Sequence, residues 1–266
     1  MKQVDATVVS IVVPVCNEAR QIADLMRRLQ QAPLPPLMKK EIIVVDDAST
    51  DGTREFLREM HRTASLEVIF HERNRGKGAA IRTALEAARG DFVLIQDADL
   101  EYDPSDYPAL LTPLVHNQAN VVYGVRPDRP ERGFAYYFGA KLMTAVTNLL
   151  FHAGIHDEAT CYKAFRRSLL RGIKLNCERF EFCPEVTAKV SRLGERIHEV
   201  PISYYPRTKA EGKKIRWIDG VAALWALFRY RLEPQSWFVI PGFDAAPETG
   251  KTVQEDKPQA RAAAAR

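Results

Sequence analysis

The sequence predicts an α/β fold built on a mostly parallel sheet flanked by helices. Three observations carry this reading. Apolar, β-branched runs alternate with amphipathic segments through the first half of the chain, the pattern of repeated strand–helix units. The runs are continuous, as strands buried on both faces require. Polar residues gather where each run ends, the place where open α/β sheets bind ligands.

Residues 7–13 read as the first strand. Residues 19–30 put Ile22, Leu25, Met26 and Leu29 on one helical face, and Pro33, Pro35 and Pro36 end that helix. A second strand covers 41–45, a helix 53–61, a third strand 66–70, a helix 77–88 and a fourth strand 91–96. The second half is less regular. Residues 121–125 read as a strand, 134–152 as a helix despite Lys141, Asn148 and His152, and 179–193 as a helix. Extended chain at 196–203 and a strong helix at 215–230 follow. From Ala245 onward the chain is rich in Ala, Pro, Glu, Lys and Arg, with Val253 as the one large apolar residue. That composition predicts a disordered tail over 245–266, after a folded region over 1–244.

The 266 residues are 46% hydrophobic and 27% charged, ordinary for a soluble protein. The net charge of +4 is mild, but its basic residues cluster at 126–132, 166–171 and 207–216. Such clusters fit an anionic ligand or a membrane surface. No helix-turn-helix or aromatic RNA-binding signature accompanies them, so nucleic acid is not an expected partner. Cys16, Cys161, Cys177 and Cys183 lack zinc-site spacing, which fits free thiols in a reducing cytosol. The apolar stretch 8–15 follows Asp5 and runs into Asn17 and Glu18, so it reads as a strand rather than a signal peptide. No 18-residue apolar run predicts a transmembrane helix.

The fourth strand runs into Asp97, Asp99 and Glu101. On extended chain, residues two apart share a side. Three carboxylates on one side repel unless a cation sits among them, and all-oxygen ligands favour Mg²⁺ or Mn²⁺. A solvated acidic turn is the plainer reading of the triplet alone. Three further strand ends change the weighting: Pro14-Val15-Cys16-Asn17-Glu18, Asp46-Asp47-Ala48-Ser49-Thr50-Asp51-Gly52-Thr53, and Asn74-Arg75-Gly76-Lys77-Gly78. Four decorated strand ends in succession describe one polar crevice.

Together these four motifs resemble the nucleotide-sugar-binding half of an inverting family 2 glycosyltransferase, and most of all the polyprenyl-phosphate sugar transferases such as dolichol-phosphate mannose and glucose synthases. The resemblance runs from about residue 8 to 220. It implies a GT-A (Rossmann-like) fold, with a nucleotide-sugar-binding half over 8–125 and an acceptor- and membrane-facing half over 126–244. It places Pro14, Val15, Cys16, Glu18, Val45, Asp47, Lys77, Asp97 and Ala98 on the nucleotide sugar, with Arg207 and Lys213 on a loop that closes over the diphosphate. Asp97 and Asp99 match the metal-binding carboxylates, Mg²⁺ or Mn²⁺ being the cofactor. Glu101, where relatives often carry Gln, stands as a third ligand or a bystander. Asp99 and Arg126 are the implied catalytic residues. Arg126, with Arg132 or Arg129, would clamp the acceptor phosphate through bidentate guanidinium contacts.

The alternatives for individual residues are structural. Asp46, Asp47, Ser49 and Asp51 can cap a helix, and Asp51 is expected to do so. Gly76 and Gly78 can be a tight turn rather than an anion site at a helix start. The arginine-rich loop can be merely solvated. Cys161-Tyr162-Lys163 departs at its first position from the Gly-Phe-Arg or Gly-Phe-Lys frequent in relatives.

A polyprenyl phosphate is already an anionic nucleophile, so no strong general base is required. A hydroxyl acceptor, as in polysaccharide or glycolipid synthesis, would need one, with Asp99, Asp157 or Glu158 as candidates. The segments 134–155 and 215–230, followed by Trp237, Phe238, Val239 and Ile240, are apolar and aromatic with basic flanks. Such helices lie on bilayers or pack on a sheet. The expected partners are a nucleotide sugar, a polyprenyl phosphate, and a membrane surface or membrane-protein partner, at the cytoplasmic face. A non-catalytic nucleotide-sugar-binding scaffold is the reading of another class, and the intact acidic triplet argues against it.

Overall fold

In a computed structural model, the structure describes residues 6–63, 66–127, 134–207 and 217–243. Seven strands form one sheet: β1 (Val8–Val15), β2 (Lys39–Asp46), β3 (Glu67–Phe70), β4 (Phe92–Ile95), β5 (Val121–Val125), β6 (Lys163–Arg166) and β7 (Ile197–Pro201), in the order β3-β2-β1-β4-β6-β5-β7. All neighbours are parallel except β6, which runs antiparallel to both β4 and β5. The carboxyl ends of the other six strands therefore meet at one edge, and β6 starts there. Eight helices are described: α1 (Ile22–Gln31), α2 (Thr53–Thr63), α3 (Lys77–Ala87), α4 (Tyr107–Val115), α5 (Phe134–Phe151), α6 (Arg167–Arg171), α7 (Phe182–Arg192) and α8 (Trp217–Leu232).

Alternation along the strands divides the core. Val9, Ile11, Val13 and Val15 of β1 pack with Leu25 and Leu29 of α1, Leu57 of α2 and Leu110, Leu111 and Leu114 of α4. Val12 faces the opposite layer, with Ala80, Ile81 and Ala84 of α3 and Val186 and Val190 of α7. A smaller cluster joins α5 to α8 through Met143, Phe151, Ala223, Leu227 and Tyr230.

Three elements depart from the sequence reading. Strand β6 is short and begins at the charged but fully buried Lys163. Its ammonium lies 3.3 Å from the centre of the Tyr123 ring and donates to the Glu158 carbonyl at 3.2 Å, so a buried strand carries a charge that composition assigns to the surface. Helix α4 carries Pro108 near its start and Pro113 in its last turn. Prolines are tolerated at a first turn but read as breakers. The five-residue α6 is too short for periodicity to reveal. The tail expected at 245–266 lies outside the described residues.

Candidate active site

Strand β4 stops at Ile95, and the buried Gln96 receives two hydrogen bonds on its amide oxygen, from Tyr107 Oη at 2.8 Å and Tyr162 Oη at 2.7 Å. Its amide Nε2 donates to the Asp97 carbonyl at 2.9 Å. Gln96 thus anchors the strand end from which Asp97 projects. A turn then covers Ala98 to Leu100, and Leu100 takes a left-handed φ of 57°. That conformation is uncommon for a side chain branched beyond Cβ. It breaks the two-residue alternation on which the acidic triplet was read.

The three carboxylates consequently part. Asp97 Oδ1 pairs with Lys77 Nζ. Asp99 Oδ2 accepts from Arg207 Nη2 at 3.0 Å. Glu101 turns to the segment after β7, its Oε1 accepting from the Arg207 backbone N–H at 2.8 Å and its Oε2 from Tyr204 Oη at 2.5 Å. Among the described residues no three carboxylate, imidazole or thiol groups converge as a metal cage. Burial, followed by the charges of Asp97 and Glu101, pushes the Asp99 carboxyl up to about 7 against the opposing pull of Arg207 and Lys77.

Lys77 opens α3 between Gly76 and Gly78. Gly76 has φ 92°, and a Cβ there would lie 2.3 Å from the Glu178 carbonyl oxygen. Gly78 N donates to Arg179 O at 2.9 Å and Ala79 N to Glu178 O at 3.0 Å. The glycines admit this backbone, whose carbonyls take the helix-start N–H groups that an anion would otherwise use. The side chain of Lys77, not the helix terminus, is what faces the crevice. It also reaches Cys161 Sγ at 3.0 Å. Burial opposes its charge, but Asp97 and the thiols of Cys161 and Cys183 outweigh this and hold its ammonium well above the ordinary lysine range.

At the β1 end, Pro14 and Val15 are buried and Cys16 is half-buried, while Val45 and Ala98 are buried at the ends of β2 and β4. Val15 and Ala98 pack in the layer of α1 and α4, and Val45 in that of α3. Asn17 N donates to Ser49 Oγ at 2.8 Å and Glu18 N to Thr53 Oγ1 at 2.9 Å, joining the β1 and β2 ends. Glu18 Oε2 accepts from Arg207 Nη1 at 3.0 Å. Asp51 accepts from Thr53 N at 3.1 Å, Thr53 Oγ1 at 2.6 Å and Ala19 N at 3.0 Å. Asp46 pairs with Arg54 at 2.6 Å. Asp47 is buried and holds the loop before α3, accepting from Arg75 N at 2.8 Å and Gly76 N at 2.7 Å, with His71 Nδ1 at 2.7 Å. His71 carries no motif, and only its place after β3 could have pointed to it.

Past β5, Arg126 meets Asp157 in a two-pronged pair, Nε to Oδ2 at 2.7 Å and Nη2 to Oδ1 at 2.7 Å. Its guanidinium carbon lies 5.1 Å from the centre of the Tyr204 ring. Burial works against the Asp157 charge, but Arg126 and its N–H hold the carboxyl below the usual range. Glu158 is fully buried, and burial raises its carboxyl to about 8 despite the Lys163 ammonium. Arg129, Arg132 and Lys213 lie outside the described residues.

At this sheet edge Glu18, Asp97 and Asp99 thus pair with Lys77 and Arg207, and Arg126 pairs with Asp157 past the end of β5. This chain is similar to known proteins over most of its length. A curated dodecaprenyl-phosphate galacturonate synthase from Rhizobium johnstonii is 27% identical over 236 residues, 86% of this chain and 70% of that protein. An undecaprenyl-phosphate 4-deoxy-4-formamido-L-arabinose transferase from Pseudomonas aeruginosa is 30% identical over 216 residues, 80% of this chain. The chain spans 62% of that relative's length. Among solved structures, glucosyl-3-phosphoglycerate synthase from Mycobacterium tuberculosis, in complex with Mn²⁺, UDP and its product, shares the fold with TM-score 0.67 and 21% identity, over 86% of this chain and 82% of that one. The same enzyme with Mg²⁺ and UDP gives TM-score 0.66. The mostly parallel sheet with flanking helices is thus the GT-A fold. The family model described as glycosyl transferase family 2 matches residues 10–173, and the chain belongs to that family.

Proposed function

We propose that this glycosyltransferase moves a sugar from a nucleotide-diphosphate sugar, of the GDP-mannose or UDP-glucose type, to a polyprenyl phosphate with inversion at the sugar. One observation carries the reading: acidic and basic side chains from separate strand ends meet at one edge, with an arginine held at their border. The relatives named for dodecaprenyl- and undecaprenyl-phosphate products support the acceptor class.

Asp97 and Asp99 offer hard oxygen ligands, and each is already neutralised by a cationic side chain. That donor set fits Mg²⁺ or Mn²⁺. A divalent ion held by these two residues would act as a Lewis acid on the leaving diphosphate. Lys77 and Arg207 add positive charge where the diphosphate's negative charge develops. Pro14, Val15, Cys16, Val45 and Ala98 at the strand ends, with Glu18 and Asp47, would take the base and ribose. Lys213 would add a further positive charge on the diphosphate in this reading. Arg126, aimed by Asp157, would orient the acceptor phosphate, with Arg132 as its second clamp.

That phosphate attacks as an anion, so the residues position and neutralise rather than remove a proton. The candidate bases fit a hydroxyl acceptor less well. Asp157 is committed to Arg126, Glu158 is fully buried, and Asp99 faces Arg207.

The outer faces of α5 and α8 complete the proposal. Leu149 is 75% exposed, Trp225 71% and Leu232 84%, with Phe138, Val221 and Phe228 also exposed. Arg229 and Arg231 sit in the last turn of α8. No helix among the described residues is long and apolar enough to cross a membrane. An apolar face with basic ends suits a bilayer surface, here the cytoplasmic leaflet or a membrane-protein partner on it.

A thermal-shift screen of nucleotide sugars with Mn²⁺ or Mg²⁺ tests the donor. A binding donor stabilises the folded state, by about 2.7 kcal/mol at a hundred times its dissociation constant. A screen in which no nucleotide sugar shifts the transition with either ion would sink the reading.

A further inference from the structure

The segment from Ile202 to Arg207 crosses the sheet edge as a strap. Ile202 N donates to Val125 O at 3.1 Å, and Ser203 N to Asp106 Oδ2 at 2.7 Å. Tyr204 bridges to Tyr102, with their ring centres 5.1 Å apart. At its far end the strap is held by one residue. Glu101 accepts from Tyr205 N through its carbonyl at 2.8 Å, from Arg207 N through Oε1 at 2.8 Å and from Tyr204 Oη through Oε2 at 2.5 Å. Arg207, fixed at its backbone, then spans the cleft, with Nη1 3.0 Å from Glu18 Oε2 and Nη2 3.0 Å from Asp99 Oδ2.

We propose that Glu101 is the positioning residue of this strap rather than a third metal ligand: its carboxylate clasps Tyr204 and Arg207 so that the Arg207 guanidinium stays over the donor site. The left-handed turn at Leu100 makes this possible by rotating Glu101 out of the line of Asp97 and Asp99. With both oxygens turned to the strap and the side chain buried, Glu101 couples the turn carrying Asp97 and Asp99 to Arg207. The proposal rests on the donor-site reading above only for what Arg207 touches. The clasp itself is a property of the protein alone.

Three variants separate the roles: Glu101→Leu, Glu101→Gln and Tyr204→Phe. A glutamine keeps both bonds, its amide oxygen accepting from Arg207 N and its amide N–H donating to the Tyr204 hydroxyl. Leucine keeps neither. Hydrogen exchange at the Arg207 amide is therefore expected to quicken about tenfold or more in Glu101→Leu and to stay within about threefold of wild type in Glu101→Gln. The Ser203 amide, bonded to Asp106, is the internal control. Tyr204→Phe, which cannot touch a metal, should quicken Arg207 exchange in the same direction. Titration with Mn²⁺ alone, read by electron paramagnetic resonance, should give the same affinity for Glu101→Leu and wild type. In turnover, Glu101→Leu should raise the donor KM about tenfold with a smaller change in kcat, and Glu101→Gln should restore it.

Unchanged exchange in Glu101→Leu would overturn the clasp. A tenfold loss of Mn²⁺ affinity in that variant would return Glu101 to the metal. Failure of Glu101→Gln to restore exchange would show that its charge, not its bonds, matters. Exchange and Mn²⁺ titration need no sugar substrate, so their outcome is independent of whether the donor and acceptor assignments hold.

Discussion

Asp157→Asn tests how Arg126 is held. The Arg126 and Asp157 side chains are only 8% and 11% exposed and meet through two charged hydrogen bonds of 2.7 Å. Asparagine keeps the shape but removes the charge, which leaves a guanidinium nearly buried without its counter-ion. Breaking a buried pair from one side costs about 3–5 kcal/mol. For a folded region of this size each kcal/mol moves Tm by about 2–4 °C, so a fall of roughly 10 °C is expected at pH 7. The pH dependence has a definite sign. The Asp157 carboxyl lies below the usual value in the folded state, so its stabilisation is present above the ordinary carboxylate pKa and is lost as pH falls through the lowered one. The gap between wild type and Asp157→Asn should therefore be full at pH 7 and should narrow as pH falls below the ordinary carboxylate range. Denaturant unfolding across that acid range reads it. A gap under about 1 kcal/mol at pH 7, or one that does not change with acid, would refute the reasoning.

Glu158 runs the opposite way. Its carboxyl rises from 4.5 to about 8 on burial, so the folded state binds the extra proton and stability falls as pH rises between those values. The slope approaches about 1.4 kcal/mol per pH unit, and Glu158→Gln should flatten it; parallel curves for the two proteins from pH 5 to 8 would contradict this. Asp99→Asn is expected to lower metal-dependent turnover about a hundredfold or more while circular dichroism stays native; full turnover would remove Asp99 from the metal. Trp225→Ser with Phe228→Ser should cut flotation with anionic phospholipid vesicles more than tenfold, since each buried aromatic contributes about 1.5–3 kcal/mol. Undiminished flotation would move the membrane contact elsewhere.

Much of the fold was legible because burial on both faces leaves continuous apolar runs. Strands β1, β2 and β5 are read within a few residues from that signal alone. Lys163 hid β6, because its charge is offset by the Tyr123 ring and a carbonyl, partners set by tertiary packing. Pro108 and Pro113 hid α4 by resembling breaks. The four decorated strand ends do lie at one edge, since parallel strands bring their carboxyl ends together. Orientation was less legible. The two-residue rule held only as far as the chain stayed extended, and Leu100 ended that before Glu101. The glycines around Lys77 were ambiguous because the backbone they admit, at Glu178 and Arg179, lies about a hundred residues away in sequence. Gln96 and His71 act through partners on other elements, Tyr107, Tyr162 and Asp47, which no local pattern announces.

The central claim is sugar transfer to a polyprenyl phosphate. The direct measurement incubates the purified protein with Mn²⁺ or Mg²⁺, undecaprenyl phosphate in detergent and each labelled nucleotide sugar, and follows label into the organic phase. The account predicts an extractable sugar-phosphate lipid from at least one donor, lost with chelator and in Asp99→Asn. Label passing only to a hydroxyl acceptor, or no extractable product from any donor that the protein binds, would contradict it.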